Sequence, residues 1–147
     1  MPFRFPLETV LHFRRSLERQ QELRLRMANQ QVARVRRLIE HIEQQIDGVH
    51  TRQSRELNAG TTAAELRFNR ASEAVLAQQR VLAQLELQRL EQLRDQQKKV
   101  FQQARRERET FESLRDQQRT EYERNARRRE QRQLDELFLL RKTLRRG

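Results

Sequence analysis

Residues that interrupt helices are scarce in this chain. Its 147 residues include only 3 glycines and 2 prolines, whereas a globular domain of this length normally has many more turn formers. One internal stretch reads as a turn, LNAGTTAAEL (residues 57–66), where Asn58 and Gly60 are helix stop signals. Thr62 then precedes Glu65 by three residues, the spacing of a capping box that begins a new helix. The chain is therefore limited to two long helices joined by one turn.

Composition separates long helices from disorder. Charged residues make up 36% of the chain and hydrophobic residues 35%, a balance found both in disordered chains and in long helices. The abundant residue types are Arg, Glu, Gln, Leu and Ala, which lose little side-chain freedom in a helix. We therefore expect a single coiled-coil domain over residues 1–147, with helix 1 at about 7–56, a turn at about 57–61 and helix 2 at about 62–143.

Apolar residues recur along both predicted helices at helical spacing. Those of helix 1 alternate spacings of four and three residues, as in a coiled coil, and are Ala28, Val32, Val35, Ile39, Ile42, Ile46 and Val49. Those of helix 2 are Phe68, Ala71, Val75, Leu82, Leu85, Leu90, Leu93, Val100, Ala104, Phe111 and Leu114. The pattern predicts an all-α fold in which two long helices form an antiparallel coiled-coil hairpin.

The two apolar rows suggest a register for this hairpin. If helix 2 folds back through a tight turn, a residue of helix 1 faces the residue whose number completes a sum of about 117. Val49 then opposes Phe68 and Val32 opposes Leu85. Gln21 falls opposite Gln97, and both rows change phase there, which predicts a stutter in the coiled coil.

Helix 2 is predicted to extend beyond helix 1. Residues after about Leu114 have no partner in this register, and at about 1.5 Å per residue the overhang is about 45 Å long. It carries a helical apolar stripe made of Tyr122, Leu134, Leu137, Phe138 and Leu144. We expect another polypeptide to cover this stripe. Fraying in solution and self-association are the alternatives.

The net charge of +11 favours acidic partners. The charges are mixed, however, as in RRERET (residues 105–110), which is typical of a solvated helix face. RNARRREQR (residues 124–132) is similar to a basic region that precedes a leucine zipper, but only 15 residues follow it. Aromatic side chains that could stack on bases are missing from it. Nucleic-acid binding is therefore not favoured.

Nothing in the sequence predicts catalysis, a metal or a cofactor. The chain has no cysteine, and its three histidines, His12, His41 and His50, do not share the spacing of a zinc-binding helix. Glycine-rich phosphate loops are absent, and a two-helix coiled coil has no desolvated pocket for a small-molecule substrate. No apolar stretch reaches 18 residues and the N-terminus lacks a signal-peptide core, so we expect a cytoplasmic protein that is not an enzyme.

Both ends of the chain carry recognisable motifs. FRFPLETVL (residues 3–11) is an aromatic-basic-aromatic lead into a leucine-rich helix, and LRDQQRTEYERNARRREQRQLDELFLLR (residues 114–141) contains a Glu-Gln-x-x-Leu-Asp-Glu core from Glu130 to Glu136. In these motifs, and in its size and central turn, the chain resembles the FliJ family. Members of that family are small components of the bacterial flagellar type III export apparatus.

The resemblance implies a stalk-like coiled coil similar to the gamma subunit of rotary ATP synthases. Such a stalk binds the ring of the export ATPase FliI, promotes its assembly, and contacts the export gate protein FlhA at the inner membrane. FliH and the export chaperones are further partners that it implies. A stalk of a related injectisome and a self-associating structural coiled coil are the alternative functions.

The resemblance also implies site residues. The ATPase-binding residues would be Tyr122, Arg128, Glu130, Gln131, Leu134, Asp135, Glu136, Leu137, Phe138 and Arg141. The N-terminal contact residues would be Phe3, Phe5 and Leu7, and the gate-binding residues would be Leu38, Ile42 and Leu76.

Overall fold

The computed structural model describes residues 2–146 and contains two helices. Helix α1 spans Glu8–Ala59 and helix α2 spans Ala63–Arg146. No strand occurs within residues 2–146, and the prediction of an all-α fold with two long helices packed against each other is confirmed. Within the same residues, neither helix has an apolar stretch of the length and hydropathy needed to span a membrane.

The connection between the helices is closed by local capping. Gly60 follows the end of α1 with a φ of 89°, a left-handed conformation that glycine adopts without a Cβ clash. The amide of Glu65 donates to the Thr62 hydroxyl at 3.2 Å, and the Glu65 carboxylate accepts from the Thr62 amide at 3.4 Å. The predicted capping box is therefore confirmed, and it fixes where α2 begins.

The chain forms two compact units, each of which contains a part of both helices. The central unit comprises residues 20–101, and the terminal unit comprises residues 2–19 and 102–146 within the described chain. In each unit, side chains of α1 bond to side chains of the antiparallel segment of α2.

The core of the central unit lies along the seam predicted for α1. Val32, Ile42 and Val49 are 2–6% exposed, and the other four members of that seam are half-buried. On α2 the buried apolar residues are Ala83 and Leu90. Because a branched aliphatic side chain contributes about 1.5–3 kcal/mol when it is fully buried, this row supplies most of the apolar stabilisation of the unit.

The face predicted for α2 is wrong over its first half. Phe68, Val75, Leu82 and Leu85 are 54–66% exposed and lie on the outer side of the helix. The buried and half-buried positions are instead Asn69, Glu73, Leu76, Arg80, Ala83, Leu87, Leu90, Arg94 and Gln97. This row keeps an unbroken alternation of four and three, but polar residues occupy many of its places. Counting apolar residues therefore selects the neighbouring, more apolar face.

Polar residues are accepted in this seam because each finds a partner or buries only its stem. Asn69 is 3% exposed and donates to the Glu56 carboxylate at 2.7 Å. Gln97 donates to the side-chain oxygen of Gln21 at 2.7 Å. Arg80 and Arg94 are half-buried, as expected when an arginine places its aliphatic stem along an apolar surface.

The predicted register is also corrected. Arg36 pairs with Glu91 at 3.0 Å, whereas Val81 was expected opposite it. His50 lies 2.8 Å from Glu73, further along α2 than expected. Only the Gln21–Gln97 pair occurs as predicted.

The predicted stutter does not occur. Buried and half-buried positions continue without a phase change through Gln21, Leu25, Ala28 and Val32 of α1. A glutamine pair at one seam layer satisfies its hydrogen bonds internally, so the helices need no local unwinding to accommodate it.

The terminal unit has a small core of its own. Leu11 is fully buried, and Phe5 and Ala104 are 7% and 4% exposed. Several ion pairs, described below, border this core.

We predict that removing the side chain of Leu11 destabilises the protein far more than removing an exposed leucine. Leu11→Ala should lower the free energy of unfolding by about 2–5 kcal/mol, because a cavity is left where the side chain was fully buried. Leu23, which is 55% exposed, is the matched control, and Leu23→Ala should change it by about 0.5 kcal/mol or less. Urea unfolding followed by circular dichroism at 222 nm measures both, and equal losses would contradict this core.

Candidate protein-docking segment

The last part of α2 is helical and fully exposed. Every residue from 127 to 146 is exposed, and the helix continues to Arg146. We call these residues the C-terminal segment. At about 1.5 Å per residue it is about 30 Å long, enough for several turns of contact with a partner.

Large apolar side chains are concentrated in this segment. Leu134, Leu137 and Phe138 are 56–67% exposed, and they lie on one side of the helix because they are spaced by three and four residues. Leu139 and Leu140 are both 59% exposed and widen the apolar surface around the helix. An exposed apolar patch of this kind is typical of a protein-binding surface.

Charge surrounds the apolar patch. The segment has eight basic and three acidic residues, and no ion pair joins them within the described part of the chain. The basic residues are Arg127, Arg128, Arg129, Arg132, Arg141, Lys142, Arg145 and Arg146. Among the acidic ones, Asp135 accepts a hydrogen bond from Gln131 at 3.2 Å, whereas Glu130 and Glu136 are simply exposed. The segment therefore combines an apolar contact surface with a net positive charge that attracts acidic partners.

The unpaired part of α2 begins later than predicted. Tyr122, expected in the overhang, is half-buried, and its ring centroid lies 5.6 Å from that of Phe3. Ala126 is the last half-buried residue of the helix. The expectation that partners end near Leu114 is therefore wrong, because the register differs and the N-terminal residues lie against α2.

These N-terminal residues, 2–7, form what we call the N-terminal strap. Phe5 is buried and Phe3 is half-buried against Tyr122, whereas Leu7 is 37% exposed. The amide of Glu8 donates to the Phe5 carbonyl at 3.2 Å, which ends the strap and starts α1. Phe3 and Phe5 are thus committed to contacts within the chain, and Leu7 is the strap residue with the most accessible apolar side chain of the three.

A network of ion pairs fixes α1 to α2 within the terminal unit. Arg108 donates to Glu18 at 3.1 Å and to Glu112 at 2.8 Å, and Glu112 also accepts from Arg15 at 3.1 Å. The hydrogen bond from Arg108, and then the one from Arg15, holds the pKa of Glu112 below its usual value, although partial burial opposes this. The hydrogen bond to Glu18 raises the pKa of Arg108 above that of a free guanidinium.

A second cluster lies beside this network. Arg14 pairs with Glu107, and its guanidinium carbon lies 5.8 Å from the ring centroids of Phe13 and Phe111. Sequence reasoning missed both clusters because it searched for apolar seam residues. The signal was available in the heptad spacing, which continues through Arg108 and Arg115 between Ala104 and Phe111 and beyond.

The three residues predicted to bind an export gate differ in exposure. Leu38 is 49% exposed, Ile42 is 4% exposed in the central core, and Leu76 is half-buried. Leu76 lines an open groove of about 670 Å³ in the central unit, together with Gly48 and Phe68. Only Leu38 is therefore freely available to a partner, and Ile42 supports the surface from within.

The arrangement can bind a protein through apolar and charged contacts. Within the part of the chain that the structure describes, no three His, Asp or Glu side chains are grouped so that they could hold a metal ion.

Comparison with known proteins gives one match. A protein-family model described as Flagellar FliJ protein matches residues 3–147. No curated protein and no solved structure matches the chain. The family match includes the N-terminal strap and the C-terminal segment, which carry the motifs noted in the sequence.

We predict that Glu112 contributes stability that depends on pH. Since its pKa is lowered in the folded chain, this contribution is present above the pKa of about 4.3 of an unfolded glutamate and is lost as the pH falls through the lower, folded-state value. Glu112→Gln should therefore lower the free energy of unfolding by about 1 kcal/mol at pH 7 and by less at pH 3. Urea unfolding of both proteins at the two pH values measures the difference.

The control for this experiment is Glu123→Gln. Glu123 is exposed and lies 3.7 Å from Arg119 of the same helix, so it makes only a local pair. A pH-independent loss for Glu112→Gln, or an equal loss for the control, would contradict the role of the network.

Proposed function

Since this chain belongs to the FliJ family of flagellar proteins, we propose that it is an adaptor of the flagellar export apparatus. Its C-terminal segment binds the ring of the export ATPase FliI and promotes assembly of the active ring. A second surface, in the central unit, binds the export gate FlhA and so couples the ATPase to export of the substrate.

One observation carries the first part of the proposal. Residues 127–146 form a preformed helix with exposed leucines and phenylalanine, ringed by basic side chains. Apolar side chains that fill a pocket supply most of the affinity of a protein interface, and surrounding charges speed up encounter. The segment therefore suits insertion into an acidic groove or channel, as the centre of an ATPase ring would provide.

The gate contact is supported by less of the surface. Leu38 is exposed, and Leu76 lies at the edge of the groove in the central unit. Ile42 is in the seam, so its part in gate binding is to hold α1 in place rather than to touch the gate. FliH and the export chaperones complete the set of partners that we propose.

We predict that a chain ending at Ala126 no longer stimulates the ATPase. This truncation removes the whole exposed segment but keeps Tyr122 against Phe3, so the terminal unit retains its contacts. Purified FliI should hydrolyse ATP at its unstimulated rate with the truncated chain. Full-length Leu134→Asp plus Leu137→Asp should have the same effect, since charge at the centre of the patch prevents apolar contact.

The matched control is full-length Leu23→Gln plus Met27→Gln. These two residues of α1 are 55% and 54% exposed, so the variant removes a similar apolar surface elsewhere and should stimulate as the wild type does. Stimulation that survives truncation would show that FliI binds another surface.

We further predict that Leu38→Gln weakens binding to the cytoplasmic part of FlhA without unfolding the chain. Leu38 is half exposed, so the substitution should change the free energy of unfolding by about 0.5 kcal/mol or less. Ile42→Ala should instead lower that free energy by about 2–5 kcal/mol, because the residue is buried. Calorimetric titration with FlhA and urea unfolding separate the two effects. Unchanged FlhA affinity for Leu38→Gln would remove this residue from the gate site.

A further inference from the structure

The outer side of α2 in the central unit has an apolar surface that the proposed function does not use. Phe68, Val75, Leu82 and Leu85 are 54–66% exposed on it. We define the outer face of α2 by the residues that follow one another at spacings of three and four on this side: Phe68, Ala71, Val75, Gln78, Leu82 and Leu85.

This face is almost free of charge, although 36% of the chain is charged. Between Ala71 and Leu85 the only charged residues are Glu73 and Arg80. Both are half-buried at seam positions on the other side of the helix, and Glu73 lies 2.8 Å from His50. The face itself offers uncharged side chains only.

We propose that this face binds the same face of a second copy of the chain, with the two α2 helices antiparallel. Each copy carries a net charge of +11, so two copies repel each other wherever basic surfaces meet. The outer face of α2 is a place where they can meet without setting arginine against arginine. Burial of its apolar side chains then drives association.

The charges at the ends of the face agree with this orientation. Glu65 and Arg67 stand at one end, and Glu86 and Arg89 at the other. Arg89 donates to Glu86 at 2.9 Å, which neutralises that end. Antiparallel docking brings one neutral end against the other, so the contact adds no net repulsion.

Side-chain sizes also favour the antiparallel arrangement. With the twofold axis at the middle of the face, Leu82 of one copy lies opposite Ala71 of the other, and Phe68 lies opposite Leu85. Large residues thus meet small or medium ones, as close packing requires. In a parallel pair Ala71 would face Ala71 and leave a gap, while Leu82 would face Leu82.

The C-terminal segment of a second copy is a poorer occupant. It has eight basic residues, and the outer face offers no acidic side chain for them between Ala71 and Leu85. An anionic lipid surface is also disfavoured, because the borders of the face lack the rows of lysine and arginine that flank interfacial helices.

Sedimentation velocity over a range of chain concentrations tests the proposal. The wild type should be in equilibrium between monomer and dimer, and Leu82→Gln plus Leu85→Gln should raise the dissociation constant by at least about tenfold, which corresponds to about 1.4 kcal/mol. Leu23→Gln plus Met27→Gln removes two apolar side chains of similar exposure from the outer side of α1. This control should leave the dissociation constant within about twofold of the wild-type value.

Ionic strength gives an independent readout. Because the two copies repel each other through their net charge, dimerisation should strengthen when salt rises from about 50 to about 300 mM and screens that repulsion. Association through opposite charges would weaken instead, which would overturn the proposal.

Engineered cysteines test the orientation, and the chain has no cysteine of its own to interfere. A mixture of Ala71→Cys and Leu82→Cys chains should form a mixed disulfide under mild oxidation, whereas Ala71→Cys alone should not cross-link efficiently. A disulfide needs Cα atoms about 4.4–6.8 Å apart, so the cross-link reports direct opposition. Efficient cross-linking of Ala71→Cys with itself would overturn the antiparallel arrangement.

Other occupants give distinct results. A dimer that persists in Leu82→Gln plus Leu85→Gln but is lost in Leu134→Asp plus Leu137→Asp would place self-association in the C-terminal segment and overturn the proposal. So would a chain that stays monomeric at all concentrations, or one whose leucines at 82 and 85 are needed for co-sedimentation with vesicles containing phosphatidylserine. None of these measurements involves FliI or FlhA, so their failure is distinguishable from failure of the proposed function.

Discussion

Two helices alone provide a narrow core, and every seam position must be filled or satisfied. With no third layer to cover them, most side chains keep some contact with water, and few are fully buried. A seam of this kind can include polar residues, provided that each bonds to a partner or places only its stem in the contact. Asn69 with Glu56, Gln21 with Gln97, and Arg108 with Glu18 and Glu112 meet this condition. The remaining architecture depends on it, because such pairs set which residues of α1 and α2 oppose each other.

The same property decides how far sequence reasoning reaches. The helices, the capping box at Thr62 and Glu65, and the apolar seam of α1 follow from spacing and propensity, because isoleucine and valine dominate that seam. The buried face of α2 does not follow. Its true seam contains Asn69, Arg80 and Arg94, whereas the outer face has Phe68, Leu82 and Leu85, so a rule that maximises apolar content chooses the wrong side. An unbroken heptad would have been the better criterion, since it tolerates polar members and the apolar row does not preserve it.

The candidate site was predictable in kind but not in its limits. The apolar and basic character of residues 127–146 is evident from composition alone. Where the exposed segment begins depends on the N-terminal strap, because Phe3 covers Tyr122 and Phe5 is buried. Strap residues lie outside any helix and carry no periodic signal, so their position against α2 could not be obtained from spacing. The strap has a direct consequence for binding, since it reserves Tyr122 for the chain itself and leaves the leucines beyond it to a partner.

The exposed segment also illustrates how a helix without tertiary contacts can serve as a docking surface. An isolated helix of about 20 residues is only marginally stable in water, because its first turn must form at a large entropic cost. Here that cost does not arise, since residues 127–146 extend a helix that is already formed and packed. Each added residue gains one backbone hydrogen bond, and local bonds such as Gln131 to Asp135 add to them. The partner therefore meets leucines already aligned on one side of a helix, so less of the binding free energy is spent on ordering the segment.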